Sequence, residues 1–302
     1  MGLVDSLSFR AYQAGSLVAR SLPEPMAVAA SRMAGSALSQ AMRGRRTMIE
    51  RHLRRAHDGR LEGAALRREV RRAFDSYARY WVESFRLPDL TAEDLDAAMT
   101  YEGLEHVDEA LAAGTGVIAA LPHLGGWDFG GAWLATNGYR ITVVVEPVEP
   151  PELLAWFAEF RERLGMTVVP LGPAVGPAVL GALRRNEIVG LLCDRDITGD
   201  GVDVEFFGER TTLPGGPATL ALRTGAPILP MTVYFEGRRG HRGVVRPAVP
   251  AGRQGRLRDD AARITQLLAH ELEVLIRADP AQWHLMQPNW PSDREIAGRR
   301  PV

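Results

Sequence analysis

Residues 115–128 read TGVIAALPHLGGWD. The apolar run from Val117 to Leu121 is only five residues long, with Gly116 before it and Pro122 after it, so it reads as a buried strand and not as a helix. Runs of the same kind follow at RITVVVE (140–146), MTVVPL (166–171), EIVGLLCD (187–194), VDVEFF (202–207) and PILPMTVYF (227–235). Helical patterns separate several of them, at Leu104 to Ala113, Gly130 to Asn137, Pro151 to Leu164, Val175 to Arg185 and Ala218 to Thr224. Strand and helix alternating in this way predict an α/β fold: a central, mostly parallel or mixed sheet with helices covering both faces. A last helix is expected over Leu257 to Arg277, followed by a Trp- and Pro-rich tail expected to wrap the surface.

Upstream of the strands the pattern is helical. Leu3, Val4, Leu7, Tyr12, Ala14, Leu17 and Val18 recur at mostly three- and four-residue steps until Pro23, which predicts an amphipathic helix. A second helical stretch, Met26 to Met42, leads into a band from Arg43 to Arg72 in which Arg outnumbers Asp and Glu. Such a pair could lie on a membrane with its guanidinium groups on anionic headgroups, or could pack on the protein with a solvated Arg face. The segment FDSYARYWVESFRL (74–87) carries aromatics at helical spacing and is closed by Pro88, the mark of a core helix. The chain therefore divides into a helical N-terminal region, 1–90, packed on a core of 91–302.

Composition narrows the function. Apolar residues make up 46% of the chain, enough for a packed core, and a formal net charge of -1 argues against nucleic acid as a partner. Every basic side chain other than histidine is Arg, whose planar fork suits phosphate. The single cysteine, Cys193, excludes a disulfide framework or a thiolate metal cluster. Asp5 and Arg10 interrupt the first apolar residues before a signal peptide can develop, and no stretch of about 18 uncharged apolar residues exists for a transmembrane helix.

Ligands of open α/β sheets bind beyond the carboxyl ends of the strands, and these ends are polar in this chain. One strand runs into His123, a second ends at Glu146, and a third ends at Asp194, Arg195 and Asp196. His123 is followed five positions later by Asp128, with Gly125 and Gly126 between them. That spacing lets the carboxylate fold back to fix the imidazole tautomer, making His123 a candidate general base. The glycines are expected to leave peptide N–H groups uncovered for an anion or oxyanion.

Competing motifs fail. The G-x-G-x-x-A at 114–119 precedes a strand and follows a helix, the reverse of a dinucleotide site. No nucleophile elbow, phosphate-binding loop or H-E-x-x-H is present, and the other histidines lack metal-ligand spacing, so no metal is expected. A His–Asp pair without Ser or Cys reads most economically as activating a bound substrate hydroxyl for direct attack.

Five segments taken together carry a resemblance: PHLGGWD, FRERLG containing Arg161, CDRD, VEFFGERTTLPGGPATLALRTGAPILP and DPAQWHLMQPNW. In order and spacing, from about Gly103 to Trp290, they resemble the bacterial lysophospholipid-type acyltransferases that include the lipid A lauroyl and myristoyl acyltransferases. Within that family the chain is most similar to the phosphatidylinositol mannoside acyltransferases. Pro122 stands where the lipid A branch usually has Asn, and Asp128 where it often has Glu.

The resemblance implies transfer of a long acyl chain, typically palmitoyl, from acyl-CoA as co-substrate to a mannose hydroxyl of a glycolipid acceptor. It implies a peripheral position on the anionic cytoplasmic face of the cell membrane, and no cofactor. On it His123 is the base, Asp128 orients it, and Asp194 is a second partner where the mannoside branch often has Glu. Glu146 would bind sugar hydroxyls or support the base, Arg195 would bind substrate, and Arg161 and Arg223 would meet the CoA phosphates or the thioester region. It also implies an apolar tunnel for the acyl chain. A lipid A or glycerolipid acceptor, a lipid hydrolase and a catalytically silent membrane-binding protein are the alternatives.

Overall fold

A computed structural model of the chain describes residues 12, 14–146 and 151–298. The expected N-terminal helix falls largely on 1–11 and 13, outside the described residues; its last part is helical, and residues 14–21 form α1. The helices α2 (Glu24–Ala41), α3 (Arg43–Ala56), α4 (Gly63–Arg86) and α5 (Ala92–Ala97) follow. Then come β1 (Met99–Glu102), α6 (Glu105–Ala112), β2 (Val117–Leu121), α7 (Trp127–Thr136), β3 (Ile141–Val145), α8 (Pro151–Arg163), β4 (Thr167–Pro170), α9 (Val175–Arg184) and β5 (Ile188–Leu192). The chain continues through β6 (Val202–Phe206), β7 (Glu209–Leu213), α10 (Gly216–Thr224), β8 (Ile228–Glu236), β9 (Gly240–Val245), α11 (Leu257–Ala278) and α12 (Pro291–Gly298).

Seven strands form one sheet in the order β1-β9-β8-β2-β5-β3-β4. Five of them, from β8 to β4, are mutually parallel, while β9 runs antiparallel to β8 and β1 runs parallel to β9. The period-2 alternation of strand side chains divides β2 between two cores. Ile118 and Ala120 join α9, α10 and α11 on one face; Val117 and Ala119 join α6, Ile141, Ile188 and Met231 on the other. Both faces are thus dry, which is why the parallel strands read as continuous apolar runs. Fully buried Ile118, Ile188 and Ile228 each contribute about 1.5–3 kcal/mol by leaving water.

Two expectations need correction. VDVEFF does not join the central sheet: β6 pairs with β7 as a separate antiparallel hairpin, with alternate residues buried. The tail is interior instead of superficial, with Trp283 and Trp290 both buried. The indole N–H of Trp290 donates to Phe206 O at 3.1 Å, and the Arg55 guanidinium lies 4.0 Å over its ring.

The tail is tied to α3 by buried charge. Asp293, wholly buried, accepts from Arg51 Nε at 2.5 Å and Arg55 Nη1 at 3.2 Å and lies 3.3 Å from His52 Nε2. Burial alone would push this carboxyl up, yet the bonds from His52 and Arg51 and the charges of His52 and Arg55 hold it well below the usual carboxylate range. Asp293→Asn should therefore cost about 3–5 kcal/mol in urea unfolding at pH 7, because Arg51 loses its counter-charge and Arg55 keeps only Glu209. A folded-state value below the unfolded one gives stability that is complete above about pH 4 and lost on acidification. The variant should be correspondingly less sensitive to acid, and equal slopes for both proteins below pH 4 would remove this account.

Candidate active site

Three neighbouring parallel strands, β2, β5 and β3, end at one rim, and His123, Asp194 with Arg195, and Glu146 follow them directly. The turn after β2 is shaped by Gly125, at φ +63°, where any Cβ would stand 2.0 Å from the Val233 carbonyl oxygen. Only glycine fits that combination of dihedral and contact.

The ring nitrogen Nδ1 of His123 lies 2.6 Å from Asp194 Oδ1. Asp194 is wholly buried, and its Oδ2 accepts both the His123 backbone N–H at 3.0 Å and the Trp283 indole N–H at 2.7 Å. Asn289 Nδ2 donates to the Asp194 carbonyl oxygen at 2.9 Å. Burial works against the charged carboxylate, but the His123 charge and these hydrogen bonds outweigh it and lower its pKa. A carboxylate on Nδ1 fixes the proton there and leaves Nε2 as the acceptor. The His123 side chain is 21% exposed and lines the main cavity.

The carboxylate on the ring is therefore Asp194. Asp128, expected to fill that role, instead accepts from Tyr80 at 2.7 Å and from Arg161 Nε and Nη2 at 2.8 and 3.2 Å. The physical reason is the helix: Asp128 sits in the first turn of α7, which turns it toward α4 and α8. Burial, then the Asp128 charge, drive the Tyr80 phenol well above its usual range, so it stays a donor. Arg195 Nη2 bonds Glu146 Oε2 at 2.6 Å across the ends of β5 and β3.

Six of the seven residues singled out from sequence, His123, Asp128, Glu146, Arg161, Asp194 and Arg195, thus meet at or beside one cavity. Arg223 does not. It is exposed in the last turn of α10, whose Leu220 and Ala221 pack in the core on the opposite face of the sheet. The N–H groups of the two glycines are not themselves open. Gly125 N donates to Gln282 O at 3.0 Å and Gly126 N to Val233 O at 2.7 Å. Sequence reasoning missed Tyr80, Trp283, His284 and Asn289, which come from the aromatic helix and the tail.

The cavity holds about 320 Å³ and runs from His123 between α7 and the sheet. Its walls include Ala119, Ile141, Met166, Met231 and Trp133, and small residues keep it open: Gly130 and Gly131 in α7, Gly190 in β5 and Gly243 in β9. A Cβ on Gly131 would stand 2.8 Å from Met166 Sδ. Among the described residues no cluster of His, Cys, Asp or Glu is arranged to hold a metal ion. Cys193 is buried, and burial with the neighbouring Asp194 charge pushes its thiol up, out of reach of thiolate chemistry.

Residues 6–292 match the family model of the bacterial lipid A biosynthesis acyltransferases. A phosphatidylinositol mannoside acyltransferase of Mycobacterium tuberculosis is 43% identical over 228 residues, 73% of this chain and 70% of the relative. One from Mycolicibacterium smegmatis is 37% identical over 285 residues, 93% and 91% of the two chains. A lipid A biosynthesis acyltransferase of Haemophilus influenzae is 29% identical over 187 residues, 60% of this chain and 55% of the relative.

Proposed function

This chain belongs to the bacterial lipid A biosynthesis acyltransferase family, and on that premise we propose that it transfers a long acyl chain, palmitoyl first among them, from acyl-CoA to a mannose hydroxyl of a phosphatidylinositol mannoside. The observation that carries the reading is the placement of His123: an imidazole whose Nδ1 is held by a buried carboxylate at 2.6 Å, standing at the mouth of an apolar cavity. His123 Nε2 takes the acceptor's hydroxyl proton as the oxygen bonds to the thioester carbonyl carbon. Collapse breaks the C–S bond, and the imidazolium returns its proton to the departing thiolate. Asp194 fixes the tautomer, while Asp128 and Arg161 hold the start of α7 and the end of α8 together behind the cavity wall.

The acyl chain occupies the space between α7 and the sheet, in this reading, with its thioester end at His123. Higher identity to the two mycobacterial mannoside enzymes than to the lipid A enzyme favours the mannoside acceptor. Among the described residues no helix is long and apolar enough to cross a membrane. Leu17 and Val18 of α1 and Met26 and Met33 of α2 are exposed, and would enter the interface of an anionic cytoplasmic-face membrane.

The test is an assay on anionic vesicles carrying the mannoside acceptor, with acyl-CoA donors of graded length and products read by mass spectrometry. Acyl groups on mannose, with turnover falling as salt rises, are expected; acylation of glycerol alone, or hydrolysis at the same rate without acceptor, would sink the reading. Gly131→Leu should move the preferred donor to a shorter chain, since each methylene left unburied forfeits about 0.8 kcal/mol, roughly fourfold in affinity. An unchanged length preference would mean that the chain lies elsewhere.

A further inference from the structure

A reaction through a tetrahedral intermediate needs donors aimed at the oxygen on which negative charge develops. The turn after β2 offers none from its backbone. The N–H groups of His123, Leu124, Gly125 and Gly126 are bonded to Asp194, Pro122 O, Gln282 O and Val233 O respectively. Three cavity-lining residues carry a buried side-chain nitrogen with no hydrogen-bond partner among the described residues, Trp127 Nε1, His284 Nδ1 and Arg195 Nε. Arg195 is already committed to Glu146 through Nη2 at 2.6 Å, and the other two belong to rings packed around His123. Buried N–H groups in a folded protein are almost always paired, so two that face one cavity call for a ligand oxygen.

The geometry brings them together. The Trp127 ring stands nearly perpendicular to the His123 ring at 5.7 Å between centroids and lies 5.8 Å from the ring of His284. It is stacked on Tyr80 at 4.1 Å, which fixes the direction of its N–H. An indole nitrogen can only donate. His284 is held by its own backbone N–H, 2.7 Å from the His123 carbonyl oxygen, and its Nε2 lies 2.9 Å from Ser76 Oγ. When the serine hydroxyl donates to Nε2, the neutral ring carries its proton on Nδ1, toward the cavity. Burial, then repulsion from His123, lower the His284 pKa to about 3, so the ring is neutral at working pH and is no competing base.

We propose that Trp127 Nε1–H and His284 Nδ1–H form the site that receives the acyl carbonyl oxygen and stabilises it as an oxyanion. The proposal rests on the acyl-transfer reading above. As the acceptor oxygen bonds to the carbonyl carbon, the C=O electron pair moves onto that oxygen and meets the two donors. When the C–S bond breaks, the carbonyl reforms, the pair from that bond leaves on sulfur, and the proton passes from His123 to sulfur.

Trp127→Phe keeps the ring against Tyr80 and removes only the donor; His284→Phe does the same for the second position. Two probes separate the donor's role from packing: palmitoyl-CoA with its sulfur replaced by methylene, which keeps the carbonyl, and palmitoyl-CoA with its carbonyl replaced by methylene. In calorimetric titrations each variant should bind the first about fivefold more weakly and the second as tightly as wild type. Its kcat should fall about 100-fold, with KM rising no more than the fivefold seen with the first probe. Equal weakening of both probes, or a kcat within threefold of wild type for both variants, overturns the proposal. Failure of the acyl-CoA reading looks different: wild-type protein binds neither probe.

Discussion

His123→Ala lowers acyl transfer by at least about 100-fold, and by up to about 10,000-fold, the range over which positioned general bases act. No other described group can take over its role, since the candidates around it are already committed. Asp194 is buried beneath the ring and satisfied by His123 and Trp283, and Asp128 is neutralised by Arg161. His284 is a neutral imidazole with a pKa near 3. Deleting the ring also removes one partner from a buried carboxylate, so the alanine variant loses stability together with activity. His123→Asn separates the two effects, because its amide can donate to Asp194 in place of Nδ1 while offering no basic nitrogen. Both variants should lose the rate, and the asparagine variant should melt closer to wild type. A rate within tenfold of wild type in both would remove His123 from the chemistry.

How much of this could be read from sequence depended on what the physics wrote into neighbouring residues. Of the five parallel strands, β8, β2, β5 and β3 were legible because they feed the cores on the two faces of the sheet, and β4, a half-exposed edge strand, was legible from its β-branched run alone. Strands β1 and β9, MTYE and GHRGVV, were not: they are short, polar or glycine-containing, and β1 at the sheet edge pairs with β9, far away in the chain. The alternation V-D-V-E-F in β6 did carry the signature of a half-buried hairpin, and ranking it with the continuous apolar runs placed it in the wrong sheet. The Trp- and Pro-rich tail was read as wrapping the surface, although two large aromatics in so few positions point to burial.

Within the site, convergence of His123, Glu146, Asp194 and Arg195 followed from strand-end logic, which needs only that adjacent strands be parallel. The pairing did not follow. Asp128 is near His123 in sequence but lies on a helix that carries it away, while Asp194, 71 residues on, is next to it because β2 and β5 are in register from Val117 against Ile188 to Leu121 against Leu192. Trp127 and His284 could not be foreseen as donors, because their significance lies in which neighbouring N–H groups are already used.

The replacement of one oxygen in Asp194 should do nearly as much damage as loss of the base itself. Asn in that position must place its carbonyl oxygen where Asp194 Oδ2 now accepts from two fixed donors, the His123 backbone N–H and the Trp283 indole N–H. The opposite orientation would set its NH2 group against both of them in a site closed to water. The amide NH2 therefore faces His123 Nδ1, which must accept, and the ring proton moves to Nε2. Asp194→Asn thus holds the ring in place and turns its cavity-facing nitrogen from acceptor to donor. Loss by this wrong-tautomer route is on the order of 10,000-fold in a serine-protease triad, and a drop of at least about 1,000-fold in kcat is expected for this chain. Asp194→Glu keeps the charge and lengthens the arm by one methylene, so it should recover much of what Asn loses. A crystal structure of the Asn variant with His123 unmoved, together with the kinetic loss, would establish tautomer control; retention of more than a tenth of wild-type kcat by Asp194→Asn would show that the acid does not govern the base.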